Sequence, residues 1–110
     1  MSKFIVADAH GNALYSGEFS QAFEDSNFQV GDSPAVHDVN AALGGHNGHD
    51  GYITCDGAGD ITVEFSPDGV TYGDAHTLKS AETISLEGLN IDLIRITRVS
   101  ADSSYRVFVV

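Results

Sequence analysis

A chain of 110 residues has room for one hydrophobic core and not two. With 42% hydrophobic and 19% charged residues it has the makings of a globular domain and not of a disordered acidic tail. Sixteen acids against five bases give a formal net charge of -11, which excludes a general nucleic-acid binder, because phosphate neutralisation needs clustered Lys and Arg.

Read from the start, Met1-Ser2-Lys3-Phe4-Ile5-Val6-Ala7-Asp8 reaches an acid before a signal-peptide h-region could build up, so the chain is expected to stay unexported. Phe4-Ile5-Val6 and Ala13-Leu14-Tyr15 are short strand candidates around a His10-Gly11-Asn12 turn. Phe19, Phe23 and Phe28 are then spread through a polar stretch without periodicity, which suggests an arm or irregular layer over residues 1–35. Ser33-Pro34 can open a short helix, with Ser33 as cap, Val36, Val39 and Leu43 on one face and Gly44 as the stop. Val36-His37-Asp38-Val39 could equally enter a strand. Gly44 to Gly51 is a loop by composition. Apolar stretches reach only a handful of residues, far below the roughly 18 needed to cross a bilayer, so no membrane partner is expected.

From Gly51 onward the turn signals come at short, even intervals, at Gly57-Ala58-Gly59, Ser66-Pro67-Asp68-Gly69, Gly73-Asp74, Glu87-Gly88 and Ala101-Asp102-Ser103. That is the punctuation of an all-β sandwich or barrel. Ile61, Val63 and Phe65 alternate with Thr62 and Glu64, as in a strand with one face in the core. Pro67 and Gly69 suit the turn after it, predicting a hairpin onto Val70-Thr71-Tyr72. Across Ile91 to Val99 the apolar parity shifts, which predicts a bulge or a strand covered on both sides. Tyr105 to Val110 has no polar face, so it lies at the centre of a sheet or under another subunit. Arg95, Arg98 and Arg106 give residues 95–110 a net charge of +2 against -13 for the rest, and they either pair within their sheet or reach a neighbouring chain. The expected fold is a single antiparallel β-sandwich, jelly-roll-like, over residues 36–110, with the arm before it.

Chemistry-bearing residues are sparse. His46 and His49 with Asp50 have metal-ligand character, yet a Gly-rich loop does not supply the four fixed ligands of a structural zinc site, and no metal or other cofactor is expected. His10, His37 and His76 are scattered. Gly57-Ala58-Gly59-Asp60 matches one turn of a calcium-binding repeat but occurs once, which fits a tight turn before a strand. Cys55 is a single cysteine, without a disulfide partner, in a segment of strand character, and it reads as a small buried side chain. Nothing assembles a catalytic constellation, so the chain is expected not to be an enzyme and to have no catalytic residue.

Gly51-Tyr52-Ile53-Thr54, followed by Asp56-Gly57-Ala58-Gly59-Asp60 and Ile61 to Tyr72, resembles a pattern common in small virion proteins of tailed bacteriophages, a glycine-punctuated strand leading into a Ser-x-Asp-Gly hairpin with an aromatic just after it. Ile94-Arg95-Ile96-Thr97 and Tyr105 to Val109 look like closing strands of the same sandwich, and the resemblance covers about residues 36–110. It implies a non-enzymatic head decoration (cement) protein on the outer capsid surface of the virion, made in the host cytoplasm. Its implied partners are the major capsid protein and further copies of itself, as a homotrimer. Phe4, Ile5, Phe19, Phe23 and Phe28 of the arm would be anchors on neighbouring subunits, and Phe108 and Val110 at the end of the chain would join them. A tail or neck component, or a carbohydrate-binding sandwich module, shares the same sequence features.

Overall fold

The computed structural model describes residues 5–7, 13–15 and 21–110, the first two segments through their backbone pairing. Ten strands result: β1 (Ile5–Ala7), β2 (Ala13–Tyr15), β3 (Gln21–Phe28), β4 (Ala35–Asp38), β5 (Gly51–Cys55), β6 (Ile61–Ser66), β7 (His76–Leu78), β8 (Thr83–Leu86), β9 (Leu93–Arg98) and β10 (Ser103–Val109). One α-helix, α1 (Val39–Ala42), and a 3-10 turn at Val30–Asp32 complete the described elements. β1 and β2 form a two-stranded sheet of their own, with Ile5 opposite Tyr15.

The other eight strands make two four-stranded sheets in the orders β3-β10-β5-β8 and β4-β9-β6-β7, with every pairing antiparallel. Eight strands in these two orders are a jelly roll, the double Greek-key sandwich. Its core lies between the sheets. Ile53 and Cys55 of β5 and Tyr105, Val107 and Val109 of β10 face Ile61 and Val63 of β6 and Ile94 and Ile96 of β9, all fully or almost fully buried. Strand periodicity puts these residues on one face and leaves their alternate neighbours outside.

The sandwich begins at Gln21 and not at residue 36. β3 pairs with β10 from Gln21 opposite Val109 to Phe28 opposite Ser103, so the later part of the expected arm is an edge strand of the first sheet. Its polar, unperiodic look has a physical cause: an edge strand covered on one side needs few apolar residues. The helix is shorter than the Ser33 cap implied. Ser33-Pro34 precedes β4, and Asp38 caps α1 instead, its carboxylate accepting from Ala41 N–H at 3.0 Å. Both readings of this segment therefore hold in part, the strand through Asp38 and the helix after it.

The turn after β6 also differs. Gly69 has the predicted positive φ, +79°, and Ser66 Oγ accepts from Gly69 N–H at 2.9 Å. Asp68 accepts from the N–H groups of Val70 and Thr71, both at 2.8 Å, and these bonds hold its carboxyl below the usual carboxylate range. This capped turn carries the chain into a longer loop, and the partner of β6 is His76–Leu78, not Val70-Thr71-Tyr72. At Gly57 and Gly59 the backbone runs directly against residues 101–104, and a Cβ at either position would collide with that backbone. The two glycines are needed there for close approach, as the tight-turn reading requires. Ile91 stands outside β9 in an isolated bridge to Gly48, which explains the parity shift without a bulge in the strand.

Candidate functional site

β10 lies between β3 and β5, so its inward residues are sealed in the core while Arg106 and Phe108 point outward. Pairing aligns Phe108 with Ala22 on one side and Tyr52 on the other, and Tyr52 with Ser85 of β8. The outer face of the first sheet thus carries an aromatic pair, Tyr52 and Phe108, with ring centroids 5.8 Å apart and planes at 22°. Tyr52 is 38% exposed and Phe108 half-buried. The adjacent row is polar. Arg106 donates to both carboxylate oxygens of Asp56, at 2.7 and 3.1 Å, and Thr54 and Thr83 share a hydroxyl hydrogen bond of 2.9 Å. The fork of Arg106 is therefore occupied by its own sheet, and the Asp56 carboxylate raises the guanidinium pKa.

The other two arginines are also paired inside the chain. Arg95 holds Glu64 through two bonds of 3.0 and 2.8 Å and stacks under Tyr72, 3.9 Å from its centroid. The hydrogen bond from Arg95 lowers the pKa of Glu64. Arg98 donates to Asp102 at 3.1 Å. With these cations matched by acids of the same chain, the surface is left with a large excess of negative charge.

The two edges of the sandwich differ. On the β3–β4 side, His37 Nε2 and the Tyr105 hydroxyl are 2.7 Å apart, Phe23 stacks on His37 at 4.7 Å, and Ser33 Oγ accepts from Arg98 N–H at 2.8 Å. Burial pushes the His37 pKa down, opposed by the charge of Asp25, and burial pushes the Tyr105 hydroxyl up to about 12, aided by Asp25 and Asp32. On the β7–β8 side lies a cleft of about 420 Å³ whose lining includes Phe65, His76, Ile84, Leu86, Glu87 and Leu89.

The expected anchors separate into three groups. Phe28 is fully buried, edge-on to Tyr105 at 5.0 Å, so it is a core residue and not a docking residue. Its place at the end of β3, under the second sheet, accounts for the burial. Phe23 is half-buried against His37, while Phe108 and Val110 keep exposed surface, 39% for Val110. Phe4 and Phe19 lie outside the described residues, and Ile5 is described only as a β1 residue. Cys55 is buried, its thiol donating to Gly59 O at 3.3 Å, which closes it to solvent. His49 Nδ1 bonds the Leu89 carbonyl at 2.6 Å, and among the described residues no three His, Cys, Asp or Glu side chains converge as metal ligands. The Tyr52–Phe108 pair had no signal in sequence spacing; only the strand order sets two residues 56 positions apart side by side.

No family model matches the sequence, and no curated protein matches it. A solved structure described as "Crystal Structure of FeII HppE" is similar in fold, with a TM-score of 0.50 at 10% identity, covering 99% of this chain and 56% of that one. At that identity the likeness speaks for the fold alone. The iron in its description finds no matching donor set among the described residues here. What the chain shares with that structure is its sandwich architecture.

Proposed function

We propose that this protein is a non-enzymatic structural component of a tailed-phage virion, a decoration protein that binds the outer capsid surface. One observation supports it most: a jelly roll with a mainly apolar core presents a stacked, part-exposed aromatic pair, Tyr52 and Phe108, on the outer face of its first sheet. Aromatic anchors beside satisfied polar groups are the anatomy of a binding surface. The uncompensated negative charge favours a basic coat surface as the partner and steers the encounter. The glycine-punctuated strand and Ser-x-Asp-Gly turn that resemble phage virion proteins point the same way.

The test is co-sedimentation of the full chain with empty shells of the major capsid protein encoded in the same genome. Saturable binding at a fixed ratio to coat subunits is expected, weakened at least tenfold by Tyr52→Ala or Phe108→Ala. Added salt should slow association, with a screening length of only ~8 Å at 0.15 M, and should leave the release of bound protein nearly unchanged. Absence of binding to shells, with retention on a soluble polysaccharide, would favour the carbohydrate-binding reading instead.

A further inference from the structure

Asn47 is the one asparagine of five that is followed by a glycine, and it lies in the loop between α1 and β5. Asn-Gly is a chemically labile pair, because a backbone nitrogen with no side chain beside it can reach the asparagine amide carbon. The fold nevertheless uses both residues. Gly48 is buried and pairs with Ile91, its N–H donating to Ile91 O and its carbonyl accepting from Ile91 N–H, both at 2.9 Å. A Cβ at Gly48 would stand 2.5 Å from a methyl of Val109, 2.9 Å from one of Val39 and 3.3 Å from one of Leu43, so the core closes over a position without a side chain.

Asn47 is bonded through its whole amide. Its Oδ1 accepts from Asn40 Nδ2 at 2.8 Å, and its Nδ2 donates to Pro67 O at 3.1 Å and to Asn90 Oδ1 at 2.8 Å. A carbonyl oxygen such as Pro67 O can only accept, which fixes the end of the amide that faces it. One side chain thus joins α1, the capped turn after β6 and the loop before β9. With the Gly48 N–H and the Asn47 amide both held, attack of that nitrogen on that carbon requires the bridge and the amide contacts to open together, which is a local unfolding event.

We infer that Asn47 is a deamidation site gated by the fold: the native chain blocks the reaction, and a chain that has opened and reacted cannot rebuild the joint. The Gly48 nitrogen bonds to Asn47 Cγ and the Cγ–Nδ2 bond breaks; the displaced nitrogen leaves as ammonia, carrying the proton that Gly48 gives up, and a cyclic imide remains. Water then opens the imide to aspartate or isoaspartate, so the net change is amide plus water to acid plus ammonia. An aspartate at position 47 has no hydrogen to give Pro67 O, and acceptor then faces acceptor in a chain that already carries a net charge of -11. The modification is an irreversible mark of past opening. This goes beyond the capsid reading and stands whether or not the partner particle is a phage head.

The test ages the full chain at neutral pH in two forms, folded in sodium chloride and unfolded in guanidinium chloride of the same ionic strength, and follows the peptide bearing Asn47 by mass mapping. Asp50-Gly51, Asp56-Gly57 and Asp68-Gly69 rearrange without a change of mass, so they do not mimic the signal. Deamidation at Asn47 is expected to be at least tenfold slower in the folded chain, and equal rates overturn the inference. The second readout is the denaturation midpoint of Asn47→Asp, the reaction product made directly, beside Asn27→Asp, which adds the same charge at an exposed position of β3. A lower midpoint or a failure to fold is expected for Asn47→Asp alone. An unchanged midpoint, or an equal loss in both variants, overturns the joint.

Discussion

Replacing Phe28 by alanine separates a core role from a docking role more sharply than any other single change. The side chain is fully buried and meets Tyr105 edge-on, with centroids 5.0 Å apart and planes at 88°. Phe-to-Ala changes in cores cost about 3–5 kcal/mol, of which an edge-to-face aromatic pair accounts for roughly 0.5–1.5. Against a typical domain stability of about 5–15 kcal/mol this is a large fraction, and at ~4 °C per kcal/mol it lowers the melting temperature by on the order of 12–20 °C. Phe108→Ala is the internal control. That ring is only half-buried, on the outer face of the first sheet, so its loss costs less, on the order of 1–2 kcal/mol. Equilibrium urea unfolding of the two variants reads the difference directly. A Phe28→Ala cost below about 1 kcal/mol, or a cost equal to that of Phe108→Ala, would refute the packing of β3 against the core.

Two further outcomes follow from local geometry. Gly69→Val should destabilise by about 1 kcal/mol or more, because Gly69 sits at φ +79° where a β-branched residue is strained; an unchanged urea midpoint would count against the capped turn. Stability should also fall on mild acidification. The His37 pKa is depressed from 6.5 by burial, so the unfolded chain binds the proton more tightly, and the stabilisation is present above about pH 6.5 and lost as pH falls through the lower folded value. His37→Gln should flatten urea midpoints measured between pH 7 and 5, and an identical slope in both proteins would assign the effect to another group.

Much of the sandwich was legible in the sequence because strand alternation and turn chemistry are local. Ile61, Val63 and Phe65 marked β6, and Gly69 took its positive φ where the turn demanded one. Central strands were legible too: Tyr105 to Val110 lacked a polar face because β10 has neighbours on both sides, although Arg106 still points outward. β3 was missed because an edge strand alternates weakly. Its Phe23 and Phe28 looked like scattered anchors until pairing with β10 fixed their faces. The partner of β6 was missed because Asp68 caps a turn that leads into a loop, and capping chemistry does not reveal where the next strand begins. The arginines left two options open in sequence, and proximity to Glu64, Asp102 and Asp56 decided for pairing within the chain. Nothing local could bring Tyr52 beside Phe108 or His37 beside Tyr105, since both contacts depend on the crossover order of the sheets.

The outer face of the first sheet is the surface proposed above to bind a capsid. Electron cryomicroscopy of empty shells incubated with the full chain tests it most directly. Density for a sandwich is expected at symmetry-related positions on the outer surface, with Tyr52 and Phe108 turned toward the coat. Bare shells, or bound sandwiches whose Tyr52 and Phe108 face solvent, would contradict it.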